Sequence, residues 1–208
     1  MVGAGKSEEV IQRILRIKEK CICVRGNREK YIIEGIPTVV HDEKMEVSQE
    51  QIDRNEWIKS HLSNVSIKFI QSLPKENIIE VADKKIYIVH YPMDSKMNFK
   101  KHIKIANLQE NKEMFKDIDA DIYLYGHTHV EIYNKTSEKH YINPGACGCP
   151  GKTDVAPYGI FEIDDDQVMY RQLKVHYDIQ KVIEEIKKLS FPGYKSVLKI
   201  FYGVDCEY

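Results

Sequence analysis

Short apolar runs separated by helical stretches constrain the fold of this chain more than any other feature of its sequence. Runs at 21–25, 85–90 and 121–125 have the length and composition of strands, and helix signals lie between them. After residue 125 the pattern consists mostly of strands and turns, with strands near 130–134, 139–143, 158–163 and 167–177. This order predicts an α/β fold in which a two-sheet sandwich is flanked by helices.

Capping residues indicate where the helices begin and end. Ser7 and Asn107 each precede a helical pattern, and Ser48–Gln51 has the sequence of a capping box. A further helix over Asn64–Leu73 stops before Pro74, and Asp178 is expected to cap the last one. The segment 77–90 predicts a hairpin that turns at Asp83 and Lys84, and residues 191–208 show little pattern.

Length and charge narrow the class of protein. A chain of 208 residues predicts one domain over residues 1–208. Its 31 basic and 32 acidic residues are interspersed, so no clear nucleic-acid patch stands out. No apolar run is long enough to span a membrane, and the start lacks the pattern of a signal peptide. We therefore expect no membrane partner and a cytoplasmic location.

Residues that can bind a metal follow several of the predicted strands. Asn27, His90 and His127 each lie at the end of a predicted strand or just beyond it, and His129 follows two residues later in "GHTH". Ligands in layered α/β folds bind outside the carboxyl ends of strands, so we expect these four side chains to share one rim. Imidazoles with a carboxamide oxygen suit Mn, Fe, Zn or Ni. The alternative is that "GHTH" is a polar turn.

The remaining histidines are interpreted as ordinary polar residues rather than ligands. They are His41, His61, His102, His140 and His176.

Four motifs together resemble a known family. "GNRE", "VHYP", "GHTH" and "INPG" occur in the order and spacing of the calcineurin-like metallophosphoesterases, and the chain is most similar to the small bacterial phosphodiesterase-like branch. The resemblance extends to about Leu189. It implies metal-dependent hydrolysis of phosphodiesters or phosphomonoesters by a hydroxide between two metals. The implied substrate is a phosphorylated small molecule or a nucleotide.

The resemblance also implies roles for individual residues. Asn27, His90 and His127 would bind the second metal, and His129 would bind the first. The family has a histidine that contacts phosphate where this chain has Arg28. Arginine cannot act as an acid near neutral pH, but its planar fork suits phosphate oxygens. We therefore expect Arg28 to bind phosphate with Glu29 orienting it, the alternative being a surface cation or a salt bridge to Glu29.

Two motifs of the family are missing from this chain. It contains no D-x-H and no G-D, the motifs that supply an aspartate and a histidine to the first metal and the aspartate that both metals share. Met1 aligns with the position directly after that shared aspartate. We therefore expect the first β-α-β unit to be absent. Loss of its ligands should weaken metal binding and impair activity. Loss of its strands should leave an unpaired sheet edge exposed, which favours homo-oligomers. The alternative is a non-catalytic scaffold on the same fold, as in the retromer scaffold subunit.

Two C-x-C pairs have a structural interpretation and a chemical one. Cys21 and Cys23 are expected to pack on the buried face of a strand, whereas Cys147 and Cys149 lie in a glycine-rich loop and are expected to be exposed. Four thiols could form a zinc site, which is the less favoured interpretation.

Overall fold

The structure is a computed structural model that describes residues 1, 3, 5–40, 43–95, 98–149, 151, 153–164 and 167–206. His41 and residues 165–166, which lie between the predicted strands at 158–163 and 167–177, are outside the described residues. The chain divides into two compact units. The first unit comprises Met1–Pro74 and Asp178–Tyr208, and the second comprises Lys75–Tyr177. The expectation of one domain over residues 1–208 stays a prediction.

The described elements are numbered in chain order. The α-helices are α1 Ser7–Arg16, α2 Asn27–Glu34, α3 Gln49–Ser60, α4 Asn64–Ser72, α5 Leu108–Met114, α6 Ile179–Leu189 and α7 Tyr194–Val197. The strands are β1 Val39–Val40, β2 Glu43–Lys44, β3 Glu76–Val81, β4 Lys84–Val89, β5 Ile122–Leu124, β6 Glu131–Lys135, β7 His140–Pro144, β8 Val155–Asp164 and β9 Gln167–His176. A 3₁₀ turn covers Lys18–Lys20, and a π-helical segment covers Leu198–Tyr202.

The first unit is held together by two apolar clusters of helical residues. One cluster joins α1, α2, α3 and α4 through Ile11, Ile32, Ile58, Leu62 and Ile70. The other joins α6 and the residues after it through Ile183, Ile186, Phe191, Val197, Leu198 and Tyr202. The apolar spacing of α6 is thus used as the sequence predicts, with its two most buried residues three apart on one face.

Asp178 caps α6 as predicted, because its side chain accepts a hydrogen bond from the amide of Lys181 at 3.0 Å. Replacing Asp178 with alanine is expected to lower the free energy of unfolding by about 1 kcal/mol, since that amide loses its acceptor. Urea denaturation of the full chain measures this loss. Asp178→Asn keeps an acceptor and should retain most of the stability, so an equal loss in both variants would show that the cap is not responsible.

The second unit is built on a mixed five-stranded sheet in the order β3-β4-β5-β7-β6. The three central strands β4, β5 and β7 run parallel, and the outer strands β3 and β6 are antiparallel to their neighbours. The carboxyl ends of β4, β5 and β7 therefore meet at one edge, where binding residues in α/β folds collect.

Each face of this sheet has its own apolar layer. Side chains that alternate along a strand point to opposite faces. Tyr87 and Tyr123 pack with Phe115, which directly follows α5, whereas Ile86 and Ile122 face the long β8–β9 hairpin. The α/β fold and the two-sheet sandwich flanked by helices are thereby confirmed. Among the described residues, no helix has the length and apolar character needed to cross a membrane.

The predicted strand at Cys21–Arg25 is wrong. Residues 21–26 have no regular secondary structure, and Ile22 is 49 % exposed. A strand requires a neighbour that bonds its backbone. In the described part of the chain the amide of Arg25 instead donates to the carbonyl oxygen of Pro74 at 2.8 Å. The apolar composition alone therefore predicts more order than the segment has.

Three smaller predictions also need correction. Lys6 is the capping position of α1, and Ser7 is its first helical residue. The β3–β4 hairpin turns at Ala82 and Asp83, whose φ angles of 47° and 57° give the left-handed turn that suits two-residue hairpins. The stretch after Phe191 is helical, because its apolar residues pack on α6 although their spacing follows no single helical period.

Candidate metal centre

Two of the predicted ligands meet at the carboxyl end of the central sheet. His90 follows β4 directly, and His127 follows β5, the parallel neighbour of β4. Their side chains approach so that Nε2 of His90 and Nδ1 of His127 are 3.2 Å apart. The rings stand almost perpendicular, at 89°. The strand order thus brings together two residues that are far apart in sequence.

The "GHTH" loop has an unusual backbone. The amide of Thr128 donates to the carbonyl of Gly126 at 2.8 Å, so His127 is the middle residue of a γ-turn. The φ angles of His127 and His129 are 70° and 61°. These values lie in the left-handed region, which residues other than glycine seldom adopt. Such strain persists only where surrounding contacts enforce it, and it concentrates at functional sites.

Asn143 on β7 supplies part of that enforcement. Its Nδ2 donates to the carbonyl of Gly126 and to Oγ1 of Thr128, both at 3.0 Å, and its Oδ1 accepts from the amide of Gly145 at 3.0 Å. The side chain is fully buried. The sequence shows Asn143 only as the second residue of "INPG", and its spacing did not reveal that it fixes the loop carrying His127.

Rings enclose His127 on several sides. Those of Tyr91, Phe99 and His102 lie 5.0, 5.8 and 5.7 Å from it, measured between ring centroids. The next backbone amide after His102, that of Ile103, donates to Oη of Tyr91 at 2.8 Å. His102, interpreted from the sequence as an ordinary polar residue, is exposed and yet lies beside the candidate ligand.

The environment keeps the imidazoles of His127 and His129 uncharged near neutral pH. Burial, together with the nearby His102 and His129, lowers the pKa of His127 to about 4. Burial also lowers the pKa of His129. A neutral imidazole has the lone pair that a metal ion needs, so these shifts favour ligation over proton binding.

The histidine pair has a geometry that suits one divalent ion. Two nitrogens that are 3.2 Å apart and each about 2.1 Å from an ion subtend roughly 100° at it, close to tetrahedral and octahedral values. Across the described residues, however, no group of three or more His, Cys, Asp or Glu side chains is arranged to hold an ion. The pair by itself supplies two imidazole nitrogens and no carboxylate.

His129 lies in the "GHTH" loop of the second unit, and the remaining predicted site residues lie in the first unit, at the start of α2. Asn27 is the first helical residue, and Arg28, which is half-buried, is the second. Glu29 is buried, and its Oε2 accepts from the amide of Gly26 at 3.1 Å while its Oε1 lies 3.0 Å from the N-terminal ammonium of Met1. The predicted orienting of Arg28 by Glu29, and the joining of Asn27 to the histidines, stay predictions.

The C-x-C pairs differ from the expectation in two respects. Cys21 is exposed and Cys23 is half-buried, so these thiols do not pack together on the buried face of a strand. Burial raises the pKa of the Cys23 thiol. Cys147 is exposed as expected, whereas Cys149 is half-buried. Among the described residues these four cysteines form no disulfide and belong to no metal-binding group.

Comparison with known proteins gives relatives of the same fold. An uncharacterized protein of Methanocaldococcus jannaschii, MJ0912, is 28 % identical over 158 aligned positions, which cover 65 % of this chain and 59 % of that protein. The match thus spans less than two thirds of that relative's length. A hypothetical protein of Pyrococcus horikoshii OT3, PH1004, has a solved structure with a TM-score of 0.78 and 18 % identity, covering 99 % of this chain and 83 % of that one.

A solved metallophosphoesterase from Sphaerobacter thermophilus has a TM-score of 0.71 and 22 % identity, covering 98 % of this chain and 85 % of that one. The sequence profile of the calcineurin-like phosphoesterase superfamily domain matches residues 1–166. That match covers most of the chain and includes all the residues of the candidate site. The chain therefore belongs to the calcineurin-like phosphoesterase superfamily.

Proposed function

We propose that this protein is a metal-dependent phosphoesterase whose divalent ions bind beside β4 and β5, and that the 208-residue chain by itself is impaired. The observation that carries the proposal is the approach of His90 and His127 to 3.2 Å at the ends of two parallel strands. Two imidazole nitrogens at this spacing suit one ion, burial keeps that of His127 uncharged, and the strained backbone of the "GHTH" loop holds His127 in place. Without an ion, the same two nitrogens lie at hydrogen-bond distance from each other.

Three features of the second unit favour ion binding beside β4 and β5. Asn143 fixes the loop, burial keeps the imidazole of His127 uncharged, and the rings of Tyr91 and Phe99 restrict access of water to it. When bound, a divalent ion in this family activates water and neutralises phosphate charge. Histidine and asparagine ligands accept Mn, Fe, Zn or Ni, so the donor set leaves the choice of ion open.

The full ligand set remains part of the proposal. We assign Asn27, His90 and His127 to the second metal and His129 to the first, with Arg28 binding the phosphate. The absent D-x-H and G-D motifs would have supplied the anionic ligands, and neutral ligands alone bind a divalent ion weakly. We therefore expect the 208-residue chain to bind at most one ion, weakly, and to have negligible activity.

A hydrolysis assay tests this proposal. The chain is saturated with Mn(II) and given chromogenic phosphomonoesters and phosphodiesters, beside a version carrying the residues encoded in frame ahead of Met1. If those residues include D-x-H and G-D, activity only in the longer version is the expected result. Equal turnover by both versions would overturn the assignment of the missing ligands, and inactivity of a longer version with all its ligands would overturn the enzymatic proposal.

The second candidate function is a non-catalytic binding protein on the same fold. It is favoured by the lack, in the described residues, of any group of three side chains placed to hold an ion. Affinity for a divalent ion at His90 and His127 distinguishes the phosphoesterase from the binding protein, because a non-catalytic scaffold does not require a bound ion. A cytoplasmic location, a nucleotide or other phosphorylated small-molecule substrate, and self-association stay predictions from the sequence.

A further inference from the structure

Arg54 on α3 is a buried cation with an unpartnered Nε among the described residues. Its side chain is only 7 % exposed, and its Nε has no hydrogen-bond partner among the described residues. Removing a guanidinium from water without a partner costs free energy. Arg25 also has an unpartnered Nε, but its Nη2 donates to the carbonyls of Gln71 and Leu73, so that arginine has a structural role.

Arg54 lies beside a contact between α3 and α2. The neighbouring residue Asn55 donates from Nδ2 to the carbonyl of Tyr31 at 3.1 Å, which ties α3 to α2. Tyr31 is one helical turn after Arg28. Burial lowers the pKa of Arg54, and the positive charge of Arg28 lowers it further, while Glu50 acts in the opposite direction. The charge of Arg28 thus acts on Arg54, and the hydrogen bond from Asn55 to Tyr31 joins their two helices one turn from Arg28.

The acidic groups near these arginines have other hydrogen-bond donors. Glu29 accepts from the amide of Gly26 and pairs with the ammonium of Met1, and Glu50 accepts from Oγ of Ser196 at 3.3 Å. The first amides of α2 add partial positive charge at the same end of the helix. Two guanidiniums and a helix N-terminus therefore point to a bound anion.

We propose that Arg28 and Arg54 together bind a doubly charged phosphate group at the N-terminus of α2, which makes phosphomonoesters rather than phosphodiesters the substrate class. This inference rests on the proposed function, in which Arg28 binds the substrate phosphate. A terminal phosphate offers three unesterified oxygens and two negative charges, which match two guanidinium forks. A diester has one negative charge and one fewer such oxygen, so it leaves one guanidinium without its full partner.

Calorimetric titration and thermal unfolding of the full chain test the inference. The probes are phenyl phosphate and diphenyl phosphate at pH 8, well above the second pKa of about 6 of a phosphate monoester. We expect phenyl phosphate to bind at least about tenfold more tightly than diphenyl phosphate, and Arg54→Met to weaken phenyl phosphate binding by about tenfold. Arg16→Met, which removes an exposed arginine of α1 in the same unit, is the control and should change neither.

Thermal unfolding without ligand gives a second readout. Methionine replaces the unpaired charge with an apolar chain of similar length, so Arg54→Met should unfold at the same temperature as the wild type or a higher one. Binding by Arg54→Met within twofold of the wild type would overturn the inference. So would equal affinity of the wild type for the two probes, or no binding of either. The proposed function is judged separately by ion binding at His90 and His127, so phosphate binding without ion binding would contradict the proposed function and not the role of Arg54.

Discussion

Replacing His127 with alanine should lower the affinity of the chain for a divalent ion by about 100-fold or more. Mutations of residues that merely orient a ligand typically cost 10–100-fold in metal affinity, and loss of a ligand itself should cost at least as much. His90 would then retain one nitrogen without its neighbour at 3.2 Å. Titration with Zn(II) followed by calorimetry measures the change directly and does not depend on activity.

His176→Ala is the matched control for this experiment. His176 is an exposed histidine of the same unit, and its Nδ1 lies 3.0 Å from a carboxylate oxygen of Asp154. Its removal should leave the affinity at the main site within twofold of the wild type. An equal loss in both variants, or no loss in His127→Ala, would mean that the ion binds elsewhere on the chain.

The second large effect is expected at Asn143. Asn143→Ala removes the donor to the carbonyl of Gly126 and to Thr128 and the acceptor for Gly145, and it leaves these groups without their buried partner. We expect the free energy of unfolding to fall by about 2–4 kcal/mol, the cost of leaving more than one buried polar group unpaired. We also expect the affinity for Zn(II) to fall by about tenfold or more, because the loop that carries His127 loses its support.

Asn134→Ala is the control that separates loss of stability from loss of affinity for Zn(II). The side chain of Asn134 donates to the carbonyl of Ala106 and to Oδ1 of Asn111, away from the "GHTH" loop. This variant should lose stability on a similar scale and keep its affinity for Zn(II). If both variants lost stability but neither lost affinity, Asn143 would be a structural residue only, and the positioning role assigned to it would be wrong.

The sequence predicted best the parts of the fold whose signals are local or periodic. The helices capped by Ser48 and Asp178 begin where their caps indicate, and β4 and β5 lie within a residue or two of the predicted strands. The segment Cys21–Arg25 was mispredicted, because whether an apolar run becomes a strand depends on a pairing neighbour and not on the run alone. The helical segment after Phe191 was missed for a related reason, since burial against α6 rather than periodicity stabilises it.

The candidate site was predictable as far as strand ends could locate its residues. His90 and His127 follow parallel neighbouring strands, so the order of the sheet brings them together. Asn143 and Arg54 could not be identified in this way. An asparagine within a strand and an arginine within a helix are usually exposed, and only the packing of the loop on β7 and of α2 on α3 buries these two.

Arg28 and Arg54 belong to the first unit, whereas His90 and His127 belong to the second. The two pairs are therefore assigned separate functions. His90 and His127 bear on whether the chain binds an ion, whereas Arg28 and Arg54 bear on which phosphate it accepts. Loss of one function should leave the other measurable, because an ion and phenyl phosphate can be titrated separately. This separation makes the proposed enzyme distinguishable from a scaffold that has retained only the fold.

The central claim is that His90 and His127 bind one divalent ion, and anomalous diffraction from a Zn(II)-soaked crystal of the full chain tests it most directly. The account predicts a zinc peak about 2.1 Å from both Nε2 of His90 and Nδ1 of His127. The same map shows whether Asn27 and His129 contribute ligands. A crystal in which zinc binds only at other residues, or leaves these two nitrogens without a metal at saturating Zn(II), would contradict the claim.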